Sequence, residues 1–110
     1  MGDIIHRLLD DNAMRFAAAM GLIETFADYC LKMYAKTEQP SFLLGGVGGY
    51  GGVVYIFQRA LRNEKLGRVN GAWNAITTIS DVLVGMFTGE TYTVYQLLGF
   101  VLIACGVVLI

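Results

Sequence analysis

The sequence predicts an all-α membrane protein: four transmembrane helices with a short N-terminal amphipathic helix. Three observations carry that expectation. Apolar residues make up 55% of the 110-residue chain and charged residues only 15%, against a soluble norm of roughly 25% charged. The charges cluster and leave four stretches nearly free of them, each of roughly the 18–20 residues a bilayer core requires. None of the four alternates polar and apolar residues, which excludes strands, and in lipid a helix pairs its backbone groups within its own segment.

Residues 1–12 form a surface segment. Within it, residues 3–11 place Ile4, Ile5, Leu8 and Leu9 on one side and Asp3, Arg7, Asp10 and Asp11 on the other. That pattern suits a helix lying on a membrane surface or against a partner. Its mixed charges and lack of a cleavage-site pattern do not read as a signal peptide. Residues 13–110 form the transmembrane domain, with spans at about 15–34, 41–58, 69–87 and 92–110. The first, RFAAAMGLIETFADYCLKMY, carries charges inside an apolar run. A polar connection, AKTEQP, leads to the second, SFLLGGVGGYGGVVYIFQ, whose six glycines let membrane helices approach closely. A basic loop, RALRNEKLGR, precedes the third, which is polar at Asn70, Asn74, Thr77, Thr78, Ser80 and Asp81. The turn at Thr88 to Glu90 ends it, and the fourth closes on GFVLIACGVVLI. Cys30 and Cys105 lie inside apolar segments without metal-type spacing and read as small core residues.

Lys and Arg content sets orientation. Arg7, Arg15, Arg59, Arg62, Lys65 and Arg68 fall on one side and Lys32 and Lys36 on the other, six against two. That bias places both termini in the cytoplasm or on its topological equivalent.

Glu24 is the principal candidate functional residue. A carboxylate within hydrocarbon costs several kcal/mol and marks a functional position by default. Asp28 and Lys32 follow at helical spacing along the same stripe; for these two, pairing with each other at the head-group level fits equally well. Counting depth at about 1.5 Å per residue puts Glu24, Tyr50 and Thr77 about 12 Å into their spans and Trp73 about 6 Å in. Asp28 and Asp81 fall at about 18 Å, a second polar layer completed by Lys32. An acid beside aromatic rings suits a desolvated organic cation. Packing or interface anchoring accounts equally well for Tyr50 and Trp73 taken singly.

The order and spacing of Glu24, Lys32, Tyr50, Gly67, Trp73, Gly89 and the GFVLIACGV run resemble the small multidrug resistance family of the drug/metabolite transporter superfamily. The resemblance covers about residues 14–110. It implies that Glu24, in IETFADYCLK, binds protons and cationic substrate in competition. It implies that Tyr50 and Trp73 line the substrate chamber, and that Gly99 and Gly106 lie in the segment that joins two protomers. The sequence differs from the family pattern at Lys65, Leu66 and Gly67, where a Pro-Thr-Gly run is usual. It differs again at Asn70, a tyrosine in the family, and across NAITTISD.

The expected function is proton-coupled export of small organic cations by an integral, multi-pass protein. Its partners would be the bilayer, a small organic cation with protons, and a homo- or hetero-oligomer. The alternative is a transporter-derived scaffold subunit of a larger assembly, such as a membrane-containing virus particle or multisubunit complex. The fixed orientation that the charge bias implies, the surface helix and the altered third span favour that alternative. The net charge of −1 argues against a nucleic-acid partner. An enzyme is not expected: the single histidine, His6, lies in the surface segment, no nucleophile–base or metal-ligand pattern occurs, and no cofactor is called for. The GGVGGYGG run sits within a span and does not read as a phosphate loop.

Overall fold

The computed structural model describes Asp3 and residues 11–110. The amphipathic helix expected at 3–11 therefore lies, apart from Asp3 and Asp11, outside the described residues. Among those described, the chain holds four α-helices and no strand: α1 (Asn12–Thr37), α2 (Pro40–Ala60), α3 (Leu66–Phe87) and α4 (Val94–Leu109).

The helix ends differ from those expected, for local reasons. Asp11 has extended backbone and its side chain accepts from the Ala13 N–H at 2.9 Å, so α1 starts before Arg15. The AKTEQP stretch is mostly not a connection: Ala35 to Thr37 continue α1, which stops where Glu38 turns left-handed (φ 56°) and its N–H reaches the Tyr34 carbonyl at 2.7 Å. Pro40 begins α2, where its fixed φ suits a first turn and its missing N–H costs nothing. The expected basic loop shrinks to residues 61–65, because Arg59 and Ala60 finish α2 and Leu66 to Arg68 open α3. Gly89 takes a positive φ of 97° after α3. Thr93 and Gln96 form a reciprocal capping box that starts α4 two residues later than expected.

The central element is α1, with α2 and α3 packed on it and α4 outside on α3. The core is built from small residues. Ala13, Ala17, Met20 and Ala27 of α1 are buried against Val53 and Ala60 of α2 and Val69 and Ala72 of α3. Close approach follows from glycine. A Cβ at Gly49 would sit 2.7 Å from the Ala27 Cβ, and one at Gly21 would sit 2.6 Å from Ile76 Cγ2. On the other face of α2, Gly48 and Gly51 meet nothing within 4 Å.

Large apolar side chains cover the outside, including Leu22, Phe26, Leu44 and Val47, with Phe87 94% and Tyr95 86% exposed. Among the described residues, α2 is the helix both long and apolar enough to cross a membrane. The apolar α4 has 16 residues, about 24 Å against a hydrocarbon thickness of about 30 Å. The two expected core cysteines part company: Cys30 is buried under Gly45, whereas Cys105 is exposed on α4, which packs mainly on α3.

Candidate functional site

The polar stripe of α1 is satisfied by three different elements. Glu24, half-buried, accepts from Thr77 Oγ1 of α3 at 3.0 Å. One turn on, Asp28 accepts from the Tyr50 hydroxyl of α2. One turn further, Lys32 pairs with Glu90 in the connection between α3 and α4. Asp28 and Lys32 thus have separate partners, and the Asp28–Lys32 pair considered from sequence does not form.

Of the four residues expected to converge, Glu24 and Thr77 touch, and Tyr50 reaches the next turn of α1. The Tyr50 hydroxyl still lies in the field of three carboxylates, those of Asp28, Glu24 and Asp81. Trp73 packs on Phe57 (ring centroids 5.1 Å apart, planes at 54°), between the two small-residue clusters. Its indole Nε1 is buried and has no hydrogen-bond partner among the described residues. The structure therefore places Trp73 in the α1–α2–α3 packing, one turn of α3 before Thr77.

The second polar layer comes together around a cavity of about 340 Å³ between α1 and α3. Asp81 lies against Asp28 and Thr25, with Glu24 within electrostatic reach. Thr25, Asp28, Asp81 and Phe100 line the space, and Lys32 and Glu90 border it. Thr25 and Glu90 were not singled out from sequence. The i, i+3, i+7 spacing of Thr25, Asp28 and Lys32 was the available signal, since it puts all three on one helical face. Glu90 carried only its charge, opposite to that of Lys32.

Arg68 ties together the far end of the bundle. Its guanidinium pairs with Asp11 at the start of α1, and its Nε donates to the Ile110 carbonyl at 2.8 Å, beyond the end of α4. The hydrogen bond from Arg68, helped by its charge, holds the Asp11 carboxyl below its ordinary value. A residue counted from sequence only for orientation is thus a three-element clasp. Gly99 and Gly106 lie on α4, and a Cβ at either would meet nothing within 4 Å. Among the described residues, no group of three or more His, Cys, Asp or Glu side chains could hold a metal ion. No family of known proteins, no curated protein and no solved structure matches the chain.

Proposed function

We propose that the chain is a multi-pass membrane transporter, similar to the small multidrug resistance proteins, that exchanges protons for small organic cations at Glu24. The observation that carries the proposal is Glu24 itself. It is an acid midway along a helix whose outward residues Leu22 and Phe26 are 63% and 59% exposed. Surfaces of that kind suit lipid rather than water. A hydroxyl, not a cation, is the partner that holds Glu24. Its carboxylate stays available for a proton or a cation, and exchange requires only that the two compete for it. Trp73 and Tyr50 supply rings and a hydroxyl nearby, and Gly99 and Gly106 form the contact between protomers in an oligomer.

The direct test is proton release from purified protein in detergent on adding tetraphenylphosphonium. Wild type should release protons and Glu24→Gln should not; release that persists in the variant removes Glu24 from the mechanism. Orientation is checked in a background with Cys30 and Cys105 replaced by alanine, by labelling cysteines introduced near Asp3 and Glu38 from each side. A cytoplasmic label at the first and an external one at the second are expected. Labelling of each from both sides overturns the fixed orientation.

A second reading, the scaffold subunit, is favoured by the two ion pairs Lys32–Glu90 and Arg68–Asp11. They join α1 to the α3–α4 connection at one end and to α3 at the other. A rocking bundle has to break such ties, and a static one keeps them. Absence of tetraphenylphosphonium-driven proton release from wild type would favour the scaffold.

A further inference from the structure

The outer side of α3 carries polar groups that the bundle leaves unmatched. Asn70, Asn74 and Thr78 follow at four-residue spacing and share one face of the helix. Thr78 donates its hydroxyl to the Asn74 backbone carbonyl at 2.8 Å. The Asn74 carboxamide is exposed and has no hydrogen-bond partner among the described residues. It sits eight residues past Leu66, the first residue of α3, and so about 12 Å along the helix. In a membrane-spanning chain that depth is hydrocarbon, which offers an amide nothing to bond. Asn74 opens into a groove of about 350 Å³ between α3 and α4, lined also by Gly71, Ala75, Ile103, Gly106 and Ile110. A Cβ at Gly106 would meet nothing within 4 Å, so the α4 side of the groove is open.

We propose that this groove is the interface between two parallel copies of the chain, whose Asn74 carboxamides hydrogen-bond to each other across a two-fold axis along the membrane normal. The amide itself selects the occupant. It has both N–H donors and a carbonyl acceptor, so an identical amide facing it completes a reciprocal pair. A lipid tail can fill the apolar part of the groove but leaves the amide unpaired. An isologous contact sets a residue near the axis against its own copy, and parallel copies hold Asn74 at one depth. In an antiparallel pair the two amides would lie about 12 Å from opposite faces of a core about 30 Å thick, and so about 6 Å apart in depth. The six-to-two charge bias likewise keeps both copies in one orientation. Gly71, Ala75 and Gly106 are small enough for a neighbouring helix to come close, and a hydrogen bond between helices then fixes the register. The inference rests on the membrane-spanning part of the proposed function and not on exchange at Glu24. To the α4 glycine contact it adds a residue of α3, a reciprocal bond and an orientation.

The experiment uses the full chain in phosphatidylcholine vesicles, with Cys30 and Cys105 replaced by alanine. Ile110 lines the groove past the last residue of α4. Bismaleimidoethane, a short thiol linker, should therefore join two chains that carry Ile110→Cys. In an antiparallel pair those positions are about 30 Å apart, beyond its reach. Association is read as fluorescence transfer between copies labelled at Glu38→Cys while the protein is diluted with lipid. Asn74→Leu should raise the dissociation constant at least fivefold. Asn74→Gln, which keeps the carboxamide, should be weakened less than Asn74→Leu, and Gly48→Leu, on the open face of α2, should stay within twofold. Circular dichroism in the same vesicles reports folding, and Asn74→Ala replaces Asn74→Leu should the latter not fold. Monomeric wild type overturns the proposal. So does unchanged association in the leucine or alanine variant, weakening in Asn74→Gln as large as in Asn74→Leu, loss of association in Gly48→Leu, or absence of the Ile110→Cys product. A wild-type chain that alkaline carbonate washes from the vesicles overturns the membrane reading and this proposal with it. Tetraphenylphosphonium-driven proton release reads the other part separately: its absence beside association that depends on Asn74 removes the Glu24 exchange alone.

Discussion

The helices α1 and α4 both come from apolar stretches of one chain, yet they are packed by opposite rules. Eight residues of α1 are buried, while α4 buries none. The difference does not come from hydrophobicity, since the fourth stretch is the more apolar of the two. It comes from what faces each helix. Glycines on α2 and on α1 itself let backbones approach until small side chains touch, so α1 is gripped from two sides. The glycines of α4 face open space. Where lipid is as apolar as leucine, helices associate through close packing and polar contacts rather than through hydrophobicity alone. By that rule α1, with both kinds of contact, is the fixed centre, and α4 keeps an open apolar face.

The comparison is broken most sharply at Gly49. A valine there has to place its Cβ 2.7 Å from the Ala27 Cβ and 3.4 Å from the Ala27 Cα. Backbone on both sides leaves little room to yield, so a loss of at least about 2 kcal/mol is expected. The same change at Gly48 meets nothing within 4 Å and should be nearly neutral. Thermal unfolding of the two variants in detergent, followed by circular dichroism, makes the test. Equal midpoints would refute the close-packing account of α1.

Gly21 probes the other side of α1. A Cβ there would lie 2.6 Å from Ile76 Cγ2 and 3.4 Å from the Thr77 N. The Ile76 side chain can partly turn away, so Gly21→Ala should cost about 1–2 kcal/mol. It should also push Thr77 from Glu24, so tetraphenylphosphonium-driven proton release should change along with stability. A stability loss with unaltered proton release would separate the packing of α1 and α3 from the Glu24 site.

These contacts mark the limit of what the sequence discloses. The helices were legible because long apolar runs leave no other structure, and Glu24, Asp28 and Asp81 stood out as acids within such runs. Their partners were not legible. Depth counting resolves one turn only if helix ends are known, and α3 starts at Leu66 rather than Val69. Three residues are about 4.5 Å of rise, close to a full turn, which is the scale of the error for Trp73. A tyrosine side chain spans a similar distance, so Tyr50 could reach Asp28 as readily as Glu24. Cap chemistry at Asp11 and the left-handed turn at Glu38 decided the ends of α1. Neither leaves a periodicity signal.

A smaller effect is expected at the Asp11–Arg68 clasp, which joins α1 to α3 away from the glycines. Asp11→Asn keeps an N-cap residue of similar quality and removes the ion pair, so the loss should be about 0.5–1 kcal/mol near neutral pH. The pH dependence has a definite sign. Arg68 holds the Asp11 carboxyl below its ordinary value of 3.8. The stabilisation is therefore present in full above that value and is lost as pH falls through the lower folded one. Unfolding midpoints of wild type and Asp11→Asn should differ by a constant amount above about pH 5 and converge on acidification. A gap that widens in acid would contradict the assignment.

The smallest effect on the single chain, and the one that sharpens the comparison most, belongs to Gly99 and Gly106. Nothing in the chain lies within 4 Å of a Cβ at either position, so leucine substitutions should change the unfolding midpoint by no more than about 0.5 kcal/mol equivalent. If α4 is the face that meets a second copy, the same substitutions force the copies apart, because small residues are what allow close helix approach in lipid. Sedimentation or cross-linking in detergent should then show wild-type oligomers and monomeric Gly99→Leu and Gly106→Leu, with thermal unfolding of the monomer unchanged. Oligomers that persist in both variants would place the contact elsewhere, and α4 would be a lipid-facing helix and nothing more.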